Sequence, residues 1–304
     1  MFIFILEVFL LGTVFTGSAT ALITPFDENG KVNYEKLKEL IEFQIKNKTD
    51  ALVVCGTTGE SATLTDEEHI KIIKFTVNCV EKRVPVIAGT GSNDTSHAVR
   101  MSNEAEKQGV DGLLMVTPYY NKTSQEGLIR HYEYISQRVS TPVIVYNVPS
   151  RTGVDIHPET YAEIAKFKNI SGIKEANGNI SSVIKTMSLC PDIDIYSGND
   201  DQIAAICALG GKGVISVLSN ILPLETHRMA SCGVRRKIKE CSDLQKKYLP
   251  LCNALFCDVN PIPVKEAMNL MGMDVGRCRL PLCEMNKQKK EMLKRVLQDF
   301  GLVK

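Results

Sequence analysis

Residues 141–176 read TPVIVYNVPSRTGVDIHPETYAEIAKFKNISGIKEA. The run opens on a short apolar stretch, TPVIVYNV at 141–148, passes through a longer amphipathic segment, and closes on a second apolar run, ISGIKEA at 170–176. Apolar run, amphipathic segment, apolar run is the pattern of a βα unit feeding a parallel strand. Six further runs extend the pattern: ATALITPF from Ala19, ALVVCG from Ala51, VPVIAGTG from Val84, GLLMVTP from Gly112, DIDIYSG from Asp192 and GVISVLS from Gly213. Most are continuously hydrophobic rather than alternating, as strands buried on both faces must be.

Between the runs the period becomes helical. Leu37, Leu40, Ile41 and Ile45 share a face after Asn33, and Thr65 with Glu68 forms a capping box ahead of Ile70, Ile73 and Val77. Asn93 or Thr95 is expected to cap a helix ending near Gln108, with Gly109 as its stop. Eight strands, each followed by a helix, imply a (β/α)8 TIM barrel over residues 16–224; a doubly wound sheet is the competing arrangement. After Leu222 only helical stretches remain, so residues 225–304 are expected to form a C-terminal helical appendage.

A chain of 304 residues with 44% hydrophobic and 23% charged residues buries a substantial core, and its net charge of +1 gives no electrostatic reason to bind nucleic acid. Ten scattered cysteines point to a reducing, cytoplasmic setting. The pairs Cys252/Cys257 and Cys278/Cys283 carry a spacing compatible with zinc, but the flanking Leu255, Phe256, Leu280 and Leu282 argue for core packing. The apolar residues 1–15, MFIFILEVFLLGTVF, lack a basic leader and a small-residue cleavage site and are short for a membrane span. They are read as an extension outside the fold, with no membrane attachment.

In a barrel of this kind the chemistry lies at the carboxyl ends of the strands. Lys174 stands near the carboxyl end of the sixth run, where low-dielectric walls depress its pKa and keep part of the amine neutral, and a neutral amine is a carbonyl nucleophile. Tyr146 and Tyr120 stand at mouth positions where phenol hydroxyls relay protons through a threonine. Arg151 offers a planar fork for a carboxylate, and the Gly-Thr-Thr-Gly turn at 56–59 offers amides and hydroxyls to a second one. Taken singly, each of these is matched by an ordinary structural role.

Nine motifs in order change that balance: FTGSATALITPF, GTTGESATLT, VIAGTGSN, TPYYNKTSQEGL, YNVPSRTG, GIKEANGN, YSGND, GGKGVISV and NPIPVKEAM. From about Val14 onward the chain resembles the 4-hydroxy-tetrahydrodipicolinate synthases, which condense pyruvate with L-aspartate 4-semialdehyde on the route through diaminopimelate to lysine. The resemblance implies that Lys174 forms the pyruvate imine and that Tyr146, Thr57 and Tyr120 relay protons, Tyr120 from a neighbouring subunit. It assigns the pyruvate carboxylate to Thr58 and the semialdehyde carboxylate to Arg151, with Gly198 and Ile215 lining the pocket. It implies no metal or organic cofactor, because the imine is the electron sink, and a homotetramer built from two tight dimers.

The resemblance also implies a lysine-binding inhibitory site at Ser61, Ala62, His69, Asn93 and Tyr119. Here His97 stands where a glutamate would hold the ligand's ammonium, and Asp66 replaces a histidine, so strong lysine inhibition is not expected. Two competing readings remain open on this resemblance: N-acetylneuraminate lyase or a keto-deoxy sugar-acid aldolase of the same fold, and a catalytically silent binding protein. Arg151 and the paired Tyr119–Tyr120 favour the dipicolinate chemistry over a sugar chain, and retention of every catalytic position disfavours a silent protein.

Overall fold

The computed structural model describes residues 12–304. Eight parallel strands close into a barrel: β1 Gly17–Ala21, β2 Ala51–Val54, β3 Val86–Gly89, β4 Gly112–Val116, β5 Val143–Asn147, β6 Ile170–Glu175, β7 Asp194–Ser197 and β8 Gly213–Ser216. Each pairs with the next in sequence, and β8 returns to β1 through Gly17–Gly213 and Ala19–Ile215. The doubly wound alternative is thereby excluded. All eight expected runs contain a strand, although β1 begins at Gly17, two residues ahead of its run, and ends at Ala21. Beyond it the Ile23 amide turns to the side chain of Asn220 (3.1 Å) and leaves the sheet ladder.

The pleat sorts side chains into two cores. Ala51, Val53, Ile87, Leu114, Ile144, Tyr146, Tyr196 and Ile215 fill the barrel interior, closed by Phe15, whose ring stacks on Tyr196 (4.3 Å) and whose carbonyl accepts its hydroxyl (2.7 Å). Their neighbours, among them Leu52, Val54, Val145 and Ile173, pack outward against the helices. Burying residues on alternate faces is what requires the continuous hydrophobic runs. The expectation for the apolar N-terminus lies outside the described residues at 1–11; Phe15, its last residue, is part of the barrel interior.

Helix Tyr34–Lys46 is capped by Asn33, and Thr65 with Glu68 forms the full capping box at the start of helix Asp66–Val80. Helix Thr95–Lys107 is capped by Asp94, not by Asn93 or Thr95: the Asp94 carboxylate accepts the Ser96 amide at 2.9 Å, the short side chain one residue before the first turn being the one that reaches it. Gly109 follows that helix with φ +82°. Helix Pro223–Val234, which spans the expected boundary at 224, packs on β1 and β8 and completes the ring, and helices Ile238–Ala254, Ile262–Leu270 and Lys287–Asp299 follow it. Of the residues flanking the C-terminal cysteines, Leu255 is buried and Leu282 is partly buried against the core, whereas Phe256 and Leu280 are exposed. Neither lies on an inward helical face, Phe256 following a helix end and Leu280 sitting in the irregular segment before the last helix. Among the described residues no cluster of His, Cys, Asp or Glu is placed to hold a metal, and no helix is long and apolar enough to cross a membrane.

Candidate active site

Parity along the strands decides what enters the barrel. In β5 Ile144 and Tyr146 point inward, in β6 Gly172 and Lys174, and the register sets Tyr146 beside Lys174 and Lys174 beside Tyr196. Lys174 is only 6% exposed, and its Nζ lies 4.0 Å from the centre of the Tyr146 ring. Burial drives its pKa down to about 7; the Arg151 guanidinium adds to the effect and the Asp200 carboxylate opposes it. Close to half of such an amine is neutral at pH 7, against on the order of one part in a thousand or less for an ordinary lysine.

Tyr146 is also buried, which raises its pKa, while the cationic Arg151 and a hydrogen bond with Thr57 pull the other way. The structure thus joins Lys174, Tyr146 and Thr57. Tyr120 is not among them: it stands 90% exposed, with φ +74°, at the rim of the chain. Gly198 follows β7 with its amide on the Glu175 carbonyl (2.7 Å), and a Cβ there would sit 2.7 Å from that of Ala176. Ile215 is buried in the barrel interior.

The Gly-Thr-Thr-Gly turn leaves β2 and carries Thr57 and Thr58 to the mouth. Thr58 is buried, and its hydroxyl oxygen accepts Asn260 Nδ2 at 3.0 Å. Arg151 donates from Nη2 to the Asn260 carbonyl at 3.2 Å. Thr57, Arg151 and Asn260 line one cavity of about 440 Å³, which extends along Ser61, Ala62, His69 and Tyr119. Those four are the positions expected for an inhibitory site; Asn93, the fifth, accepts Asn121 Nδ2 on its carbonyl nearby (2.9 Å). His69 is buried with Nε2 2.7 Å from the Gly89 carbonyl. His97 Nε2 and Asp66 Oδ1 are 2.9 Å apart, so the two departures from the inhibited pattern satisfy each other, and this contact holds the Asp66 carboxyl below its ordinary range.

Three buried groups escaped the sequence reading. The Lys265 ammonium meets Glu60 Oε1 at 2.9 Å and the carbonyls of Thr24 and Arg277 at 3.1 and 2.8 Å, which fastens the end of the Gly-Thr-Thr-Gly turn to helix Ile262–Leu270. Asp200 accepts the Val217 and Leu218 amides (3.0 and 2.8 Å) and places a carboxylate within electrostatic reach of Lys174. Glu175, raised by burial to about 7, binds Asn147 Nδ2 (3.0 Å) and the Tyr161 hydroxyl (3.0 Å) behind the Tyr146–Lys174 pair. The only advance signal was motif membership: Lys265 and Asn260 stand in NPIPVKEAM, Asp200 in YSGND and Glu175 in GIKEANGN.

Residues 14–300 match the sequence model of the Dihydrodipicolinate synthetase family. The chain is 55% identical over 289 residues to the 4-hydroxy-tetrahydrodipicolinate synthase of Caldicellulosiruptor saccharolyticus, covering 95% of this chain and 98% of that one. The crystal structure of dihydrodipicolinate synthase from Thermotoga maritima superposes with a TM-score of 0.93 at 43% identity, over 96% of this chain and all of the other. The chloride-inhibited enzyme from Acinetobacter baumannii, solved with pyruvate, gives 0.94 at 39% identity over 96% of this chain and 100% of that one.

Proposed function

The chain belongs to the dihydrodipicolinate synthetase family, and on that premise we propose that it condenses pyruvate with L-aspartate 4-semialdehyde through an imine on Lys174, giving 4-hydroxy-tetrahydrodipicolinate for diaminopimelate and lysine biosynthesis. Relatives more than half identical over nearly their whole length carry the name of that lyase. The observation that carries the assignment in the chain itself is the buried Lys174 amine at a pKa of about 7, packed on the Tyr146 ring.

Neutral Lys174 Nζ attacks the pyruvate carbonyl, water leaves, and the imine loses a methyl proton to become an enamine. The enamine carbon then attacks the aldehyde, and the semialdehyde's own amine displaces Lys174 as the ring closes. Tyr146 passes the protons with Thr57, its high phenol pKa keeping it in the protonated, donating form at neutral pH. The Thr58 hydroxyl holds the pyruvate carboxylate, and Arg151, on the far side of Asn260, guides the carboxylate of the semialdehyde. Gly198 keeps the wall beside Glu175 and Ala176 close, and Ile215 closes the floor.

Tyr120 completes the relay from a second copy of the chain, which is the reason for its exposure here, and the working particle is a homotetramer made of two tight dimers. Ten free thiols suit a reducing, cytoplasmic setting. The His97–Asp66 contact engages the Asp66 carboxylate beside the positions Ser61, Ala62, His69, Asn93 and Tyr119, and no glutamate stands at 97 to hold an ammonium, so strong lysine inhibition is not expected.

A coupled assay with a dipicolinate reductase tests the assignment. NADPH loss that requires both pyruvate and aspartate semialdehyde is the expected outcome; turnover with N-acetylneuraminate or a keto-deoxy sugar acid, and none with the semialdehyde, would overturn it.

A further inference from the structure

Asn260 lies in the loop between helices Ile238–Ala254 and Ile262–Leu270 and is 5% exposed. It makes two contacts in two directions. Its side-chain Nδ2 donates to Thr58 Oγ1 at 3.0 Å while its Oδ1, also buried, has no hydrogen-bond partner, and its main-chain carbonyl accepts Arg151 Nη2 at 3.2 Å. A hydroxyl has one proton to give. Once its oxygen accepts from an amide N–H, that proton is free to be given to something else. Thr58 is therefore held as a donor, the polarity that an anionic carboxylate requires, and the buried amide fixes the rotamer in which it does so.

We infer that Asn260 is a positioning residue that aligns both carboxylate anchors: its side chain sets the hydrogen-bond polarity of Thr58 and its backbone seats the Arg151 fork. The inference rests on the reading of Thr58 as the pyruvate carboxylate anchor. It separates the substrates, because the side chain acts on the pyruvate arm alone while the backbone contact to Arg151 survives any substitution. It also reverses the usual ranking of substitutions. Asn260→Asp keeps the shape, but a carboxylate takes the Thr58 proton for itself and faces the substrate with like charge. Asn260→Ala merely releases the hydroxyl.

The test is steady-state kinetics on Asn260→Asp, Asn260→Ala, Thr58→Val and the Asn260→Ala/Thr58→Val double variant, with borohydride trapping of pyruvate at saturation. A charge-assisted hydrogen bond lost and replaced by repulsion raises the pyruvate KM on the order of a hundredfold in Asn260→Asp, against about tenfold in Asn260→Ala. Asn260→Ala keeps kcat within about threefold, leaves the semialdehyde KM unchanged and still traps pyruvate at saturation. The double variant matches Thr58→Val alone, because Asn260 acts through Thr58. If Asn260→Asp is milder than Asn260→Ala, or the two substitutions in the double variant add, the polarity argument fails while the anchor reading stands. If Thr58→Val leaves the pyruvate KM unchanged, the anchor reading itself fails and takes the inference with it.

Discussion

Lys265→Met tests the buried pair beneath the active-site turn. The side chains of Lys265 and Glu60 are 2% and 1% exposed, with Nζ and Oε1 2.9 Å apart. Removing the ammonium leaves the Glu60 carboxylate without its cation, retaining the Arg279 amide at 2.9 Å on its other oxygen. It also strips the Thr24 and Arg277 carbonyls of a donor. Breaking one side of a buried pair costs about 3–5 kcal/mol, whereas replacing both sides with groups of similar volume is often close to neutral. For a chain of this size the loss from the single variant is on the order of 5–8 °C in Tm. Equilibrium urea unfolding followed by circular dichroism measures it, with Glu60→Gln/Lys265→Met as the paired control. The single variant should lose the full amount and the double variant recover most of it. The single variant should also lose kcat/KM, since Glu60 ends the turn that carries Thr57 and Thr58. A single variant within about 1 kcal/mol of the parent would refute the reasoning, because the pair would then not be desolvated as described.

Four other outcomes follow from the site. With Lys174 at about 7 and only its neutral form reactive, kcat/KM for pyruvate rises with pH through about 7 and levels above it. Asp200→Asn removes the charge that opposes neutralisation, so the acid limb of that profile moves to lower pH; a limb that stays put excludes Asp200 from the site's electrostatics. Tyr146→Phe retains the fold and the borohydride-trapped pyruvate adduct but slows turnover by about a hundredfold or more, and wild-type kcat would remove Tyr146 from the proton path. Mixing inactive Lys174→Ala and Tyr120→Phe subunits restores activity, because a hybrid pair contains one site with both side chains; mixtures no more active than their parents would show that Tyr120 does not serve a neighbour.

The architecture was legible because its signal is local. A strand buried on both faces needs an unbroken apolar run, and a helix covering it needs a period of 3.6, so the eight strands from β1 to β8 and the caps at Asn33 and Thr65 stand in the sequence. Lys174 and Tyr146 were visible for the same reason: strand ends define the mouth, and parity decides what enters it. The supports of the site were hidden because their partners are remote. Glu60 and Lys265 are 205 residues apart, Thr58 and Asn260 are 202 apart, and no local period carries such a pairing. Cap choice failed at Asp94 on a smaller scale, where three adjacent residues, Asn93, Asp94 and Thr95, all carry side chains able to cap and only the backbone turn selects one. Phe15 was set aside with the apolar residues before it, although its ring closes the barrel floor against Tyr196.

Borohydride reduction in the presence of pyruvate, followed by peptide mass mapping, reaches the central claim most directly. A single stable adduct on the peptide that contains Lys174, lost in Lys174→Ala, is the result this account requires. An adduct on another lysine, or one that persists in Lys174→Ala, would contradict it.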